Sequence, residues 1–148
     1  MPDFEIRIVD VASTEDVAAL EHEINEYNFA VTGYRDGRSL SCFLRDDEGK
    51  LVAGIDGFTW GGYAHVEFLW VDAEYRGRGL GQGLLAAAEV EATARGCRTI
   101  VISSHEFQAP DLYRRLGYDE IGASVDTPIG ARHFHFQKVL APAPPITA

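Results

Sequence analysis

A glycine-rich turn between an apolar run and an alanine-rich stretch constrains this chain more than any other feature. The apolar run, residues 66–71, is typical of a strand, and residues 84–89 are typical of a helix. Between them, residues 75–83 hold four glycines and two arginines. Such a turn lets the backbone approach a ligand closely, and the helix N-terminus offers unpaired N–H groups. The segment therefore predicts a site for a phosphate-bearing ligand.

Three phosphate-binding patterns can be compared with this segment. A Walker A loop is excluded because no Gly-Lys-Ser/Thr occurs in the chain. A dinucleotide fingerprint fits only as Gly81-x-Gly83-x-x-Ala86 with Glu106 as the later acid, and its turn then lies too far from the strand. That match leaves a nucleotide-dependent oxidoreductase as one alternative. The third pattern, Arg76-x-x-Gly79-x-Gly81, fits without adjustment.

This third pattern resembles the acetyl-coenzyme A pyrophosphate loop of the GNAT family of N-acetyltransferases, [RQ]xxGx[GA]. Ala109, Tyr113 and the Leu-Gly-Tyr turn at 116–118 are similar to a later segment of the same family. The Phe-Gln-Ala-Pro stretch at 107–110 and the ending over residues 126–138 resemble one bacterial subgroup. Glu106 stands where the family commonly has an asparagine. The resemblance covers roughly residues 4–140.

The resemblance implies a mixed α/β fold and a cofactor. The expected fold is a mainly antiparallel central sheet of about six or seven strands, flanked by helices, with splayed central strands that hold the cofactor. Acetyl-coenzyme A is the implied acetyl donor, without a metal. The backbone of Leu69, Trp70 and Val71 would pair with the pantetheine arm, and a backbone N–H near Leu69 would polarise the thioester carbonyl. The pyrophosphate would be bound by the loop that comprises Arg76, Gly77, Arg78, Gly79, Leu80, Gly81 and Gln82.

Two side chains are the catalytic candidates. From its place in the motif, Tyr113 is interpreted as the acid, because a phenol with a pKa of about 10 is protonated at neutral pH. The alternative is that Tyr113 only packs in a short helix. Glu67 is the only acidic residue in the 66–71 strand and is the candidate base, with a pKa raised by partial burial. The alternatives are that Glu67 faces solvent or that water carries the proton.

The leading interpretation is an acetyl-coenzyme A-dependent N-acetyltransferase that acts on a primary amine of a small molecule or peptide. The alternative from another class is a non-catalytic coenzyme A-binding module, such as a sensor or an assembly subunit. Retention of Tyr113 argues against that alternative. The net charge of −10 argues against nucleic acid as a partner and favours a neutral or cationic acceptor.

Length and composition predict one domain over residues 1–140, followed by a disordered tail at 141–148. No apolar run is long enough to cross a membrane, and the acidic N-terminus lacks signal-peptide features, so a cytoplasmic protein is expected. A homodimer is also expected, because the closing strands carry apolar side chains and family members often pair there. These side chains are Val125, Phe134, Phe136 and Val139.

The local patterns predict an alternation of strands and helices. Strands are expected at residues 4–9, 39–44, 51–60, 63–71, 98–104, 118–125 and 131–140. Helices are expected from the Ser13 cap to residue 27, at 79–95 with Gly96 as the closing glycine, and at 109–116, with a loop at 28–38. The aromatic residues Tyr27, Phe29, Tyr34, Trp60 and Tyr63 are candidates for lining an acceptor pocket. His133 and His135 share a strand face, where they could chelate a metal or pack structurally.

Overall fold

The structure is a computed structural model that describes residues 2–140, so the predicted tail lies outside it. The chain divides into a unit that ends at Arg35 and a second unit that begins at Asp36. In the first unit, residues 4–9 form no strand, and their apolar side chains are exposed. The predicted strand is therefore wrong. Alternation yields a strand only where a partner supplies hydrogen bonds, and this segment pairs with no strand in the described chain.

The first helix begins as its cap predicts and ends later than expected. At the start of α1 (Thr14–Thr32), the Ser13 side chain accepts a hydrogen bond from the Asp16 N–H at 3.3 Å. The helix ends where Gly33 adopts a φ of 76°, in the left-handed region that favours glycine. Residues 28–32 are therefore helical, and the predicted loop begins only at Gly33.

The second unit contains one seven-stranded sheet. Its strands are β1 (Arg38–Ser39), β2 (Cys42–Arg45), β3 (Leu51–Trp60), β4 (Tyr63–Val71), β5 (Thr99–His105), β6 (Asp119–Ser124) and β7 (His133–Val139). They lie in the order β1-β3-β4-β5-β7-β6, with β2 also paired to β3. Every pair is antiparallel except β4 with β5. This is the mixed, mainly antiparallel sheet that was predicted.

The middle of the sheet follows the sequence pattern closely, whereas its edges do not. β3 and β4 occupy the predicted residues, joined by Gly61 and Gly62 with φ of 57° and 84°. The strand predicted at 39–44 is instead broken into β1 and β2. The last strand, β7, lies between β5 and β6, so β6 forms an edge of the sheet.

Two helices cover one face of the sheet: α2 (Leu80–Ala94) and α3 (Pro110–Arg115). The buried side of α2 joins a single apolar core with the sheet. Gly96, with a φ of 83°, follows α2, and the Cys97 N–H donates to the Ala92 carbonyl oxygen at 2.9 Å, which closes the helix end. The core contains Leu84, Leu85, Ala88 and Ala92 of α2 with Val66, Ile100, Ile102 and Phe136 of the sheet. Within residues 2–140, no helix has the length and apolar content to cross a membrane.

Candidate active site

The pairing of β4 with β5 stops partway along β4. The last paired residues are Val66 and Ile102, whereas β4 stays paired with β3 as far as Val71. On the β5 side, residues 67–71 therefore have no strand partner within the described chain. The two central strands splay as predicted, and unpaired main-chain donors and acceptors border the gap.

A β-bulge at Glu67 lies where this gap begins. Gly57 pairs with Val66 and Asp56 pairs with Phe68, so Glu67 is the extra residue of the bulge. A Cβ atom on Gly57 would collide with a carbonyl oxygen of β4, so only glycine permits this close approach. Gly57 is thus a site-shaping residue that the sequence interpretation missed. Its signal was a glycine within an alternating strand, which is typical of a bulge or a close backbone approach.

The loop between β4 and α2 is shaped by an arginine and two glycines. Arg76 Nε donates to the Val71 carbonyl oxygen at 3.0 Å, which fixes the loop to the end of β4. Gly77 and Gly79 have φ of 75° and 79°, and Gly79 is the N-cap of α2. Other residues would lose roughly 1–2 kcal/mol in this conformation. The first N–H groups of α2 have no carbonyl partner inside the helix, so they are available to an anion.

The dinucleotide fingerprint does not have its required geometry here. Gly81 and Gly83 lie inside the first turns of α2, which begins at Leu80, and not in a turn ahead of the helix. A 3₁₀ turn at Ala73–Tyr75 also separates β4 from the glycines. These positions disfavour the oxidoreductase alternative.

The gap and the loop open into one cleft of about 890 Å³. Every predicted cofactor-binding residue except Arg78 lines it, and so do the two catalytic candidates. Arg78 instead donates to the Glu74 carbonyl oxygen at 3.3 Å and stacks 5.0 Å from the centre of the Tyr75 ring. The cleft is lined by residues 67–71 of β4, 75–77 and 79–82 of the loop and α2, 102–104 of β5, 107–109, and Leu112, Tyr113 and Arg115.

Tyr113 has its ring in the core and its hydroxyl group available to the cleft. The residue is 5% exposed and packs against Tyr118 and Phe136, with ring centres 5.9 and 5.6 Å away. Its hydroxyl makes no hydrogen bond within residues 2–140. Every buried polar side-chain atom of these residues has a partner, so this hydroxyl is not a buried atom. Burial raises the pKa of Tyr113 to about 12. The group therefore stays protonated at neutral pH and can act as a proton donor.

Glu67 also lines the cleft, but it is exposed. The expectation of partial burial is wrong, because the bulge turns this position out of the regular alternation of β4. Glu67 is nevertheless among the residues that line the same cleft as Tyr113. The geometry therefore supplies a carboxylate and a phenol along one binding surface.

Glu106, at the family's usual asparagine position, is engaged elsewhere. Its carboxylate oxygen Oε2 accepts a hydrogen bond from the Arg132 N–H at 3.0 Å, and its own N–H donates to the Arg132 carbonyl oxygen at 2.9 Å. These bonds extend the pairing of β5 with β7. Glu106 is not among the residues that line the cleft.

Three histidines lie together near the end of β5, and His105 stacks on His133. The His105 and His133 ring centres lie 4.1 Å apart, and those of His133 and His135 lie 5.0 Å apart. His105 Nδ1 donates to the Thr127 carbonyl oxygen at 2.8 Å. Burial, with His105 and His135 nearby, lowers the pKa of His133. Within the described chain, no group of three or more His, Cys, Asp or Glu side chains is arranged to hold a metal ion.

Comparison with known proteins agrees with this arrangement of loop and sheet. A family model described as the acetyltransferase (GNAT) family matches residues 7–118. The acetyltransferase Atu2258 of Agrobacterium fabrum is 36% identical over 114 residues, which is 77% of this chain and 83% of that protein. Blasticidin-S acetyltransferase of Streptomyces morookaense is 40% identical over 85 residues, 57% of this chain and 62% of that one.

A solved structure from Agrobacterium tumefaciens extends the similarity to the fold. The two structures superpose with a TM-score of 0.86 at 32% sequence identity. The superposition covers 92% of this chain and 99% of the Agrobacterium chain. The family model spans the splayed strands, the glycine loop and the Tyr113 helix, which together form the cleft described above. The chain thus belongs to the GNAT family and is an acetyltransferase.

Proposed function

We propose that this acetyltransferase transfers an acetyl group from acetyl-coenzyme A to a primary amine by direct attack on the thioester. The observation that carries the proposal is the joining of three features in one cleft. They are the unpaired backbone of residues 67–71, the glycine loop at the start of α2, and the Tyr113 hydroxyl. When bound, acetyl-coenzyme A supplies the activated acetyl group.

The residues of the chain fit this donor in chemical terms. The N–H groups at the start of α2, with the positive end of the helix dipole behind them, suit a pyrophosphate. A pantetheine arm carries amides, which unpaired donors and acceptors of β4 can bind as a sheet edge binds an added strand. A main-chain N–H near Leu69 would polarise the thioester carbonyl.

Proton transfer is assigned to the two side chains on the cleft. Glu67, directly or through water, would take a proton from the acceptor's ammonium group, which leaves a neutral amine that can attack the thioester carbonyl carbon. As the carbon–sulfur bond breaks, the Tyr113 hydroxyl would donate its proton to the departing thiolate. Because burial raises its pKa to about 12, the Tyr113 hydroxyl is protonated at neutral pH and is present as a donor when the thiolate forms.

A small-molecule amine is the favoured acceptor, and the antibiotic named for the Streptomyces relative is one example of that class. Acetyl-coenzyme A-dependent thiol release, measured with a panel of amines, amino acids and peptides, tests the function. We expect turnover with at least one amine and an N-acetylated product in mass spectrometry. Thiol release without any acetylated amine would contradict the proposal.

We also propose a homodimer, with the β6 edge of the sheet as its contact. Phe134 and Phe136, predicted to face a partner, are instead buried in the core. The exposed apolar side chains near this edge are Ile121 and Val125, which are 59% and 72% exposed. An exposed strand edge offers a row of main-chain donors and acceptors that a symmetric partner can pair with.

A further inference from the structure

A groove on the second unit carries three exposed aromatic side chains and one carboxylate. Phe43, Phe68 and Trp70 are 56%, 69% and 45% exposed. The groove holds about 300 Å³ and contains Asp56 beside these rings. Large aromatic side chains seldom gather at a surface without a binding role, because their exposure to water is unfavourable.

Strand register explains how the groove forms. Phe43 of β2, Gly54 of β3 and Trp70 of β4 lie side by side across three neighbouring strands, since Gly54 pairs with both aromatic residues. Gly54 has no side chain, which lets the Phe43 ring pack over it, since a Cβ there would lie only 3.2 Å from Phe43 Cδ1. Two residues further along β3, Asp56 pairs with Phe68 of β4, so an acidic and an aromatic residue are neighbours across the two strands.

Asp56 is held in position and lacks a cationic partner. Ser41 Oγ donates to Asp56 Oδ1 at 2.5 Å. No lysine, arginine or histidine forms an ion pair with Asp56 within residues 2–140. Its second carboxylate oxygen makes no hydrogen bond or ion pair within the same residues. A carboxylate together with aromatic rings is the chemical environment that binds an organic cation, through charge pairing and cation–π attraction.

The groove adjoins the cofactor cleft, because Phe68 and Trp70 line both. We propose that the groove binds the cationic part of the acceptor, an alkylammonium or guanidinium group, while its reacting amine reaches the cleft across β4. This inference rests on the proposed function, since it names the class of acceptor for the same site. The net charge of −10 agrees with a cationic acceptor.

Butylguanidine and butylurea form the test pair, because they have nearly the same shape and differ in charge. The protein has two tryptophans, so its two indole N–H resonances can be followed by heteronuclear NMR. The Trp70 resonance is assigned by its loss in Trp70→Phe. We expect butylguanidine to shift this resonance with a saturable midpoint, and butylurea to leave it unmoved at the same concentration.

Asp56→Asn should raise the butylguanidine midpoint about fivefold, the change expected for loss of a partly exposed charge pair. The asparagine oxygen can still accept the Ser41 hydrogen bond, so the fold should be kept. The matched control is Asp47→Asn, which removes the same charge from the β2–β3 turn and should leave the midpoint unchanged. Phe43→Leu removes an exposed aromatic wall without disturbing the core and should also raise the midpoint.

The inference is overturned if butylurea and butylguanidine bind equally, if neither shifts Trp70, or if Asp56→Asn leaves the midpoint unchanged. Titration of acetyl-coenzyme A into the same samples separates this result from the proposed function. Acetyl-coenzyme A binding without butylguanidine binding refutes the cation groove alone. Butylguanidine binding without acetyl-coenzyme A binding supports the groove and refutes the cofactor assignment.

Discussion

Tyr113 combines a buried ring with a hydroxyl group that has no partner in the described chain, and this combination suits a proton donor. Tyr113→Phe removes only the hydroxyl, so we expect kcat to fall by about 10²-fold, the usual lower range for a general acid. The Kd for acetyl-coenzyme A should hardly change. Steady-state thiol release and titration calorimetry measure the two quantities.

The control for this variant is Tyr118→Phe. The Tyr118 hydroxyl donates to Glu89 Oε1 at 3.1 Å, and Tyr118 does not line the cleft. Its loss should lower the free energy of unfolding by about 1 kcal/mol, the usual contribution of one hydrogen bond, and leave kcat unchanged. Equal losses of kcat in both variants would mean that Tyr113 acts only through packing.

The pKa of Tyr113 also predicts the pH dependence of catalysis. Because burial raises that pKa to about 12, the hydroxyl keeps its proton throughout the neutral and mildly alkaline range. The stability linked to this protonated form is complete below the unfolded pKa of about 10 and is lost as the pH rises through about 12. Tyr113 should therefore cause no fall of kcat below pH 10. A fall near pH 8 that Tyr113→Phe abolishes would contradict this assignment.

Glu67 is the second catalytic candidate. Glu67→Gln preserves the shape of the side chain and removes its ability to accept a proton. We expect the acidic limb of the pH–rate profile to flatten, with little change in acetyl-coenzyme A affinity. The control is Glu74→Gln, which changes a carboxylate outside the cleft lining. If the acidic limb persists in Glu67→Gln, water or another group is the base.

At the scale of elements, the β4 bulge depends on a glycine in the facing strand. Gly57→Ala would push a Cβ atom into a main-chain carbonyl of β4, which cannot move aside as a side chain could. We expect the free energy of unfolding to fall by about 1–3 kcal/mol, as for other overpacked sites, together with a loss of activity. Urea unfolding measures the first effect.

Gly122→Ala is the matched control, since Gly122 also lies in a strand and a Cβ there would meet no atom within 4 Å. It should leave the free energy of unfolding within about 0.5 kcal/mol of the wild-type value. If both variants lose the same stability, close approach at the bulge is not what makes Gly57 necessary.

The sequence predicted the elements best where several signals coincide. β3, β4 and α2 combine alternation or helical periodicity with glycine turns at both ends, and they lie within a residue or so of their predicted positions. Residues 4–9 show alternation alone, which does not reveal whether a partner strand exists. The end of α1 was misjudged because Gly33 and Gly37 indicated a loop over residues 28–38, whereas nothing in residues 28–32 stops a helix before Gly33.

Parts of the candidate site could also be predicted from the sequence. The glycine loop and Tyr113 each belong to a short sequence motif, so their places in the cleft could be predicted. The bulge at Glu67 and the groove around Gly54 depend on strand register, which a single strand's pattern does not give. Trp60 and Tyr63, two of the candidates for an acceptor pocket, pack against each other with ring centres 6.1 Å apart and are not among the residues that line the cleft.

At the scale of the whole molecule, the proposed homodimer predicts a measurable mass. Light scattering at micromolar concentration should give twice the single-chain mass of 16.3 kDa. Ile121→Lys, which places a charge on the exposed β6 edge, should shift the protein toward the single-chain mass because buried charge at an interface is unfavourable. A mass of 16.3 kDa for the wild type would show that the edge remains unpaired in solution.

Calorimetry of two neighbouring glycine variants shows whether the glycine loop binds acetyl-coenzyme A. Gly81 lines the cleft, whereas Gly83, two residues further along α2, does not. A Cβ at Gly81 has ordinary contacts of 3.7 Å with Leu112 and Val71, so Gly81→Val adds bulk mainly where the pyrophosphate would lie.

We expect wild-type protein and Gly83→Val to bind acetyl-coenzyme A alike. Gly81→Val should bind at least about tenfold more weakly, because one or more hydrogen bonds to a charged group are lost. Circular dichroism would confirm that both variants are folded. Unchanged affinity in folded Gly81→Val, or an equal loss in Gly83→Val, would contradict the assignment of this loop to the cofactor.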